Sequence, residues 1–168
     1  MTDDHDSPLS DLLNMLRITL QEPIDFRRTD TDATMAKVRV LAAAATYLNI
    51  IAIGEFGGRA GAVRAQGLVE QVVGAAFQTF GDKDPHPGPF DKAAMLLRGI
   101  TQGHPFNDGN KRTGFLVAMY YLDQVGHPLP PNLPEVEVVA LCLRISAGEV
   151  RSVDVIAEEL QRLWGRRR

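Results

Sequence analysis

Apolar residues recur at helical spacing along most of this chain. Ser7 and Pro8 form an N-cap and first-turn pair, and Leu12, Leu13, Leu16 and Leu20 follow on one face, which predicts a helix over 8–20. Glu22 to Asp32 is polar, contains Pro23, and reads as a linker. Val38, Leu41, Ala42, Ala45 and Leu48 then mark a second helix that ends near Gly54, and the alanines favour helix over strand. After the glycines at 54, 57, 58 and 61, Leu68, Val72, Val73 and Ala76 predict a third. Phe90, Ala93, Ala94, Leu97 and Ile100 share a face, with Gly103 as the stop. Phe115, Ala118, Met119, Leu122 and Val125 repeat that spacing until Gly126 and Pro128. Two further stripes, Val136 to Leu143 and Val153 to Trp164, complete the pattern. The expected fold is all-α, an orthogonal helical bundle with room for one small β-hairpin around Ala75 to Phe80 and the proline-rich connector Gly81 to Pro89. Residues 1–32 are expected to form an N-terminal extension and 33–168 the main domain.

Composition narrows this picture. With 168 residues, 45% of them hydrophobic and 23% charged, the chain has the means to bury a real core without disulfides or a structural metal. A formal charge of -3 gives no overall positive field to draw it to nucleic acid. The basic tail Arg166-Arg167-Arg168 is the one cluster on which DNA binding would rest. Cys142, the single cysteine, excludes an internal disulfide and reads as a core residue. The acidic start Met1-Thr2-Asp3-Asp4-His5-Asp6 is unlike a secretory leader, and the apolar stretch Val40 to Ile53 is short for a bilayer. A cytoplasmic protein with no membrane partner is expected.

The chemistry concentrates in Gly103-His104-Pro105-Phe106-Asn107-Asp108-Gly109-Asn110-Lys111-Arg112, between two core helices. Gly109 permits positive φ and close approach, and the amides after it open a helix, which makes an anion cradle. Lys111 and Arg112 add a point charge and a planar fork of donors, suited to a polyphosphate. Asp108 offers the hard oxygen that a phosphate-borne Mg²⁺ takes. His104 is the group able to accept a proton from a hydroxyl near neutral pH. Pro105 and Phe106 read as scaffold beneath it. A plain turn with Asp108 or Asn110 as helix cap explains part of the string, but leaves His104, Lys111 and Arg112 without a reason.

These residues resemble the Fic/Doc family, whose loop HPFx[D/E]GNGRxxR lies between two helices. Here it reads HPFNDGNKR over 104–112, with lysine at the second glycine, as in the Doc (death-on-curing toxin) branch. Gly67-Leu68-Val69-Glu70 through Phe80-Gly81, and Phe90-Asp91-Lys92-Ala93-Ala94, are similar to the segments that precede the loop in Doc-like proteins, so the resemblance covers roughly 37–165. It implies a Fic-type bundle in which His104 deprotonates a target hydroxyl, Asp108 holds Mg²⁺ on ATP, and Gly109, Asn110, Lys111 and Arg112 grip the phosphates. It also implies a toxin of a toxin-antitoxin system, transferring the γ-phosphate to a Ser or Thr of a protein such as elongation factor Tu. The alternatives are AMP transfer and an inactive Fic-fold scaffold. Lys111, and Phe115 where the family has its last arginine, favour phosphate. The family's self-inhibitory [S/T]xxxE[G/N] motif is absent, so an antitoxin in trans is expected. A flap that pairs with the target by strand addition is assigned to the segment Phe80 to Phe90, with Phe80, Gly81 and Asp82 at its start.

Other readings fail on spacing. The glycines at 54 to 61 match neither dinucleotide nor P-loop fingerprints. His5, His86, His104 and His127 lack metal-ligand spacing and cysteine partners.

Overall fold

The computed structural model describes residues 11, 25–58, 63–65 and 67–165. The expected helix over 8–20 lies outside the described residues except at residue 11, and the arginine tail lies wholly outside them. From residue 25 onward the described residues form six α-helices in order: α1 (Thr31–Phe56), α2 (Leu68–Gly74), α3 (Pro89–Gly103), α4 (Asn110–Gln124), α5 (Glu135–Ser146) and α6 (Val153–Gly165), with a 3-10 turn at Ala75–Phe77 after α2. Among the described residues there is no strand, only the isolated bridges Val63 to Phe106 and Phe80 to Lys83. The fold is all-α.

Helix α4 lies at the centre. The sequence marks one apolar face on it, yet Thr113 through Leu122 are all buried, because α1, α3 and α5 close around it. Tyr120 and Tyr121 are therefore inside, edge-on to Phe26 at 6.4 and 6.1 Å. Burial of that kind raises the Tyr121 hydroxyl pKa to about 12, with Asp84 nearby adding to it. The α3 and α4 backbones approach closely at Gly114, where a Cβ would stand 2.9 Å from the Leu97 carbonyl oxygen. Gly103 is the last residue of α3, as the stop expected there, and it also serves packing, since a Cβ on it would meet Val72 at 3.1 Å.

Helix α1 is longer than its apolar stretch suggests, since Asp30 caps it by accepting from the Ala33 amide at 2.9 Å. By length and composition alone it is sufficient to cross a bilayer. Length is thus no argument against a membrane span; burial is. Leu41, Ala44, Ala45, Leu48 and Ala52 are fully buried against the bundle, at about 1.5–3 kcal/mol for each large side chain withdrawn from water. The residues just before α1 are also tied down: Phe26 is in the core, and Lys37 donates to the Arg28 carbonyl.

Candidate functional site

The loop between α3 and α4 is held from inside and open outside. His104 ends α3 in the left-handed region, at φ 46 and ψ 53, and is the one non-glycine residue with positive φ among those described. That conformation costs an L-residue about 1–2 kcal/mol. It turns the chain sharply, so His104 stays exposed while Pro105 and Phe106 plunge inward, Phe106 to 1% exposure. The Pro105 carbonyl accepts from the Arg64 amide at 2.9 Å, which seats the segment beside Val63 on the loop.

Asn110 closes the turn. Its side-chain oxygen accepts from the Phe106 amide at 3.0 Å and its Nδ2 donates to the Phe106 carbonyl at 2.9 Å. Sequence reasoning assigned Asn110 to the phosphate grip, but its amide is used on the loop's own backbone; only its main-chain N–H faces the α4 terminus. Gly109, at φ 75, precedes it, and the N–H groups of residues 110–112 have no acceptor within the helix. These donors and the dipole of α4 make a positive mouth. Lys111 and Arg112 are exposed there, and Arg112 donates to the Gly57 carbonyl at 3.1 Å. Asp108 accepts from the Gly109 amide at 2.6 Å through Oδ1. Its Oδ2 lies 2.8 Å from where a Cβ on Gly58 would stand, so any side chain at 58 would displace the carboxylate.

A cavity of about 250 Å³ is lined by His104, Asn107, Asp108, Gly109, Asn110, Lys111 and Arg112. The structure thus groups His104, Asp108, Gly109, Asn110, Lys111 and Arg112 around one cavity, with Pro105 and Phe106 buried behind them. Phe80, Gly81 and Asp82 are elsewhere. They form a two-residue turn, closed by mutual Phe80–Lys83 backbone bonds of 2.9 and 3.2 Å, with Gly81 at φ 62 in the first central position as type II′ requires. This turn is joined to the start of α3 through Lys92 and Asp84, whereas His104 lies at its far end, a helix length of roughly 22 Å away. The backbone that does pair with the loop is Val63 and Arg64.

One residue escaped the sequence reading. Asn49 of α1 is 1% exposed, and its Nδ2 donates to the Asp108 carbonyl at 2.8 Å and to Thr113 Oγ1 at 3.0 Å. The same atom would meet a Cβ on residue 109 at 3.0 Å, which together with the positive φ requires glycine there. Asn49 therefore fixes both the loop and the first turn of α4. The signal was present: an amide in phase with buried Leu41, Ala45, Leu48 and Ala52 must find a partner across the core.

Among the described residues no cluster of three or more His, Cys, Asp and Glu side chains could hold a metal ion. A lone carboxylate at a phosphate cradle fits Mg²⁺ that arrives on a polyphosphate, since that ion takes one or two carboxylates and keeps its remaining ligands from phosphate and water.

Residues 27–122 match the model of the Fic/DOC family. The chain is 39% identical over 98 residues to "Toxin Doc" of Mycolicibacterium smegmatis, covering 58% of this chain and 75% of that protein. It is 36% identical over 78 residues to "Protein kinase doc" of Escherichia phage P1, covering 45% of this chain and 57% of that protein. With the whole 104–112 loop, all of α3 and most of α4 inside the matched span, the chain belongs to the Fic/DOC family.

Proposed function

We propose that this chain is a Doc-like toxin, an Mg²⁺- and ATP-dependent phosphotransferase that modifies a Ser or Thr hydroxyl of a protein and so blocks translation. Elongation factor Tu is the first candidate target, an antitoxin chain is the natural inhibitor, and the cytoplasm is the expected compartment. The observation that carries the reading is the grouping of an exposed base, a carboxylate and two cations around one cavity at the start of α4.

In this mechanism His104 takes the proton of the target hydroxyl as its oxygen bonds to the γ-phosphorus and the bond to the bridging oxygen of ADP breaks. The N–H groups of 110–112, with Lys111 and Arg112, hold the phosphate oxygens and stabilise the charge that develops on them. Asp108 would hold Mg²⁺, which neutralises charge on the phosphates when bound. Asn49 and Asn110 keep the loop in one geometry.

Two features favour phosphate over AMP. Lys111 adds volume and charge where AMP-transferring members carry glycine. Phe115, where they carry arginine, is packed in the core beside Trp164 at 6.4 Å, so no cation is available from that position. The phage P1 relative, named a protein kinase, agrees with this direction. Lys111→Gly is expected to abolish γ-phosphate transfer or move label toward AMP. Unchanged γ-transfer by this variant would show that Lys111 does not set the nucleotide's pose.

A further inference from the structure

Helix α5 is apolar on two faces. Val138, Leu141, Cys142 and Ile145 face the core. Opposite them, Val136 is 83% exposed, Val139 57% and Leu143 52%, with exposed Ala140 and Ala147 continuing the same line. Positions 136, 139, 140, 143 and 147 fall within one narrow stripe of a helix, the seam that packs against another helix. Scattered exposed apolar residues need no explanation, but an aligned row of this kind marks a contact surface.

We propose that this seam docks a second copy of the chain, the two α5 helices pairing antiparallel about a twofold axis beside Ala140. The seam is complementary to itself. With the axis midway between the levels of residues 140 and 141, Ala140 meets its counterpart, and this small side chain lets the helices approach closely. Leu143 of each copy falls level with the gap between Val136 and Val139 of the other, as a knob meets a hole. Ala147 extends the contact past Val136.

Charge agrees with this register. An antiparallel twofold keeps each flank of the seam on its own side of the interface. Glu137 and Arg144, seven residues apart, share one flank, so each Glu137 comes level with Arg144 of the other copy. Glu137 also receives Arg162 at 2.8 Å and keeps 36% of its side chain exposed. The opposite flank carries Glu135 near one end of the helix, well separated from its own counterpart in this register. An isologous contact of one helix pair belongs to the small class, below about 1,200 Å² in total, so the dimer is weak and forms with rising concentration.

Sedimentation of the full chain over roughly two decades of concentration tests this, and a monomer–dimer equilibrium is expected. Leu143→Glu should leave a monomer with an unchanged circular dichroism spectrum, because residue 143 is exposed within one copy. Arg144→Glu should weaken association, and Glu137→Arg combined with it should restore much of the loss. Mild oxidation of Ala140→Cys should give a covalent dimer. Ala147→Cys should not, since its two copies stand thirteen residue levels apart, roughly 20 Å. Cys142 is buried and leaves this readout clean. A monomer at every concentration, a dimer indifferent to Leu143→Glu, or cross-linking through residue 147 would each overturn the proposal. So would a monomer whose seam binds an antitoxin helix and loses it in Leu143→Glu, for the face would then belong to another partner.

Discussion

At the N-terminal end of α3, Lys92 gives its ammonium to Asp84 at 2.6 Å and lies 5.5 Å from the Phe77 ring centroid, while Lys37 lies 5.9 Å from the same ring and donates to the Arg28 carbonyl. At the other end, Lys111 has no ion pair among the described residues and stands exposed beside a cavity with His104 and Asp108. Both ends carry two cations and a carboxylate. At the first, they are joined to one another and to main-chain oxygens, and they bind the early segment and the 80–83 turn to the bundle. At the second, the buried amides of Asn49 and Asn110 hold the loop, Arg112 reaches the Gly57 carbonyl, and His104 and Lys111 are exposed beside the cavity. The difference is between a lysine tied by an ion pair into the bundle and one left exposed beside a cavity.

Mutation should separate these ends by readout. His104→Ala is expected to lower transfer by about 10²–10⁴-fold with no loss of thermal stability, because the side chain is exposed. Retained transfer would remove His104 as the base. Asn49→Leu should cost about 1–3 kcal/mol in denaturant unfolding by orphaning Thr113 Oγ1 and the Asp108 carbonyl, and should lower transfer as well. Thr113→Val keeps the loop bond from Asn49 and is expected to reduce transfer less. Equal losses in both variants would mean that Asn49 acts on α4 and not on the loop.

The smallest effect belongs to the other end. Burial pushes the Asp84 carboxyl up, but the bonds from Lys92 and the His86 amide outweigh it, so its pKa lies below the usual carboxylate value. A carboxyl depressed on folding contributes stability that is fully present above about pH 4 and is lost as pH falls through the lower folded value. Asp84→Asn should therefore cost on the order of 1 kcal/mol near neutrality, and less in acid, with transfer unchanged. Melting curves recorded from neutral pH downward give the check, and a gap between the two proteins that widens in acid would contradict the sign.

Much of this arrangement was legible in the chain. The 104–112 string carries its chemistry in residue types that no simple turn needs, and the helical stripes located the core elements because 3.6-residue spacing is a local property. What was not legible depends on contacts distant in sequence. Asn49 reaches a carbonyl 59 residues away, and nothing local announces that bond. Asn110 looked like a ligand group because its type suits both roles; only the folded turn shows its amide bonded to Phe106. The flap is assigned to the segment from Phe80 because the resemblance puts one before the loop, whereas the backbone bridging to the loop is at Val63, after glycines whose spacing fits no phosphate-loop fingerprint.

The central claim is that the charged end of α4 transfers phosphate to a protein hydroxyl, and labelled ATP tests it most directly. Incubated with bacterial lysate and Mg²⁺, the chain should move label from the γ-position into protein, and His104→Ala should not. Label arriving from the α-position alone would contradict the account and mark the protein as an AMP transferase.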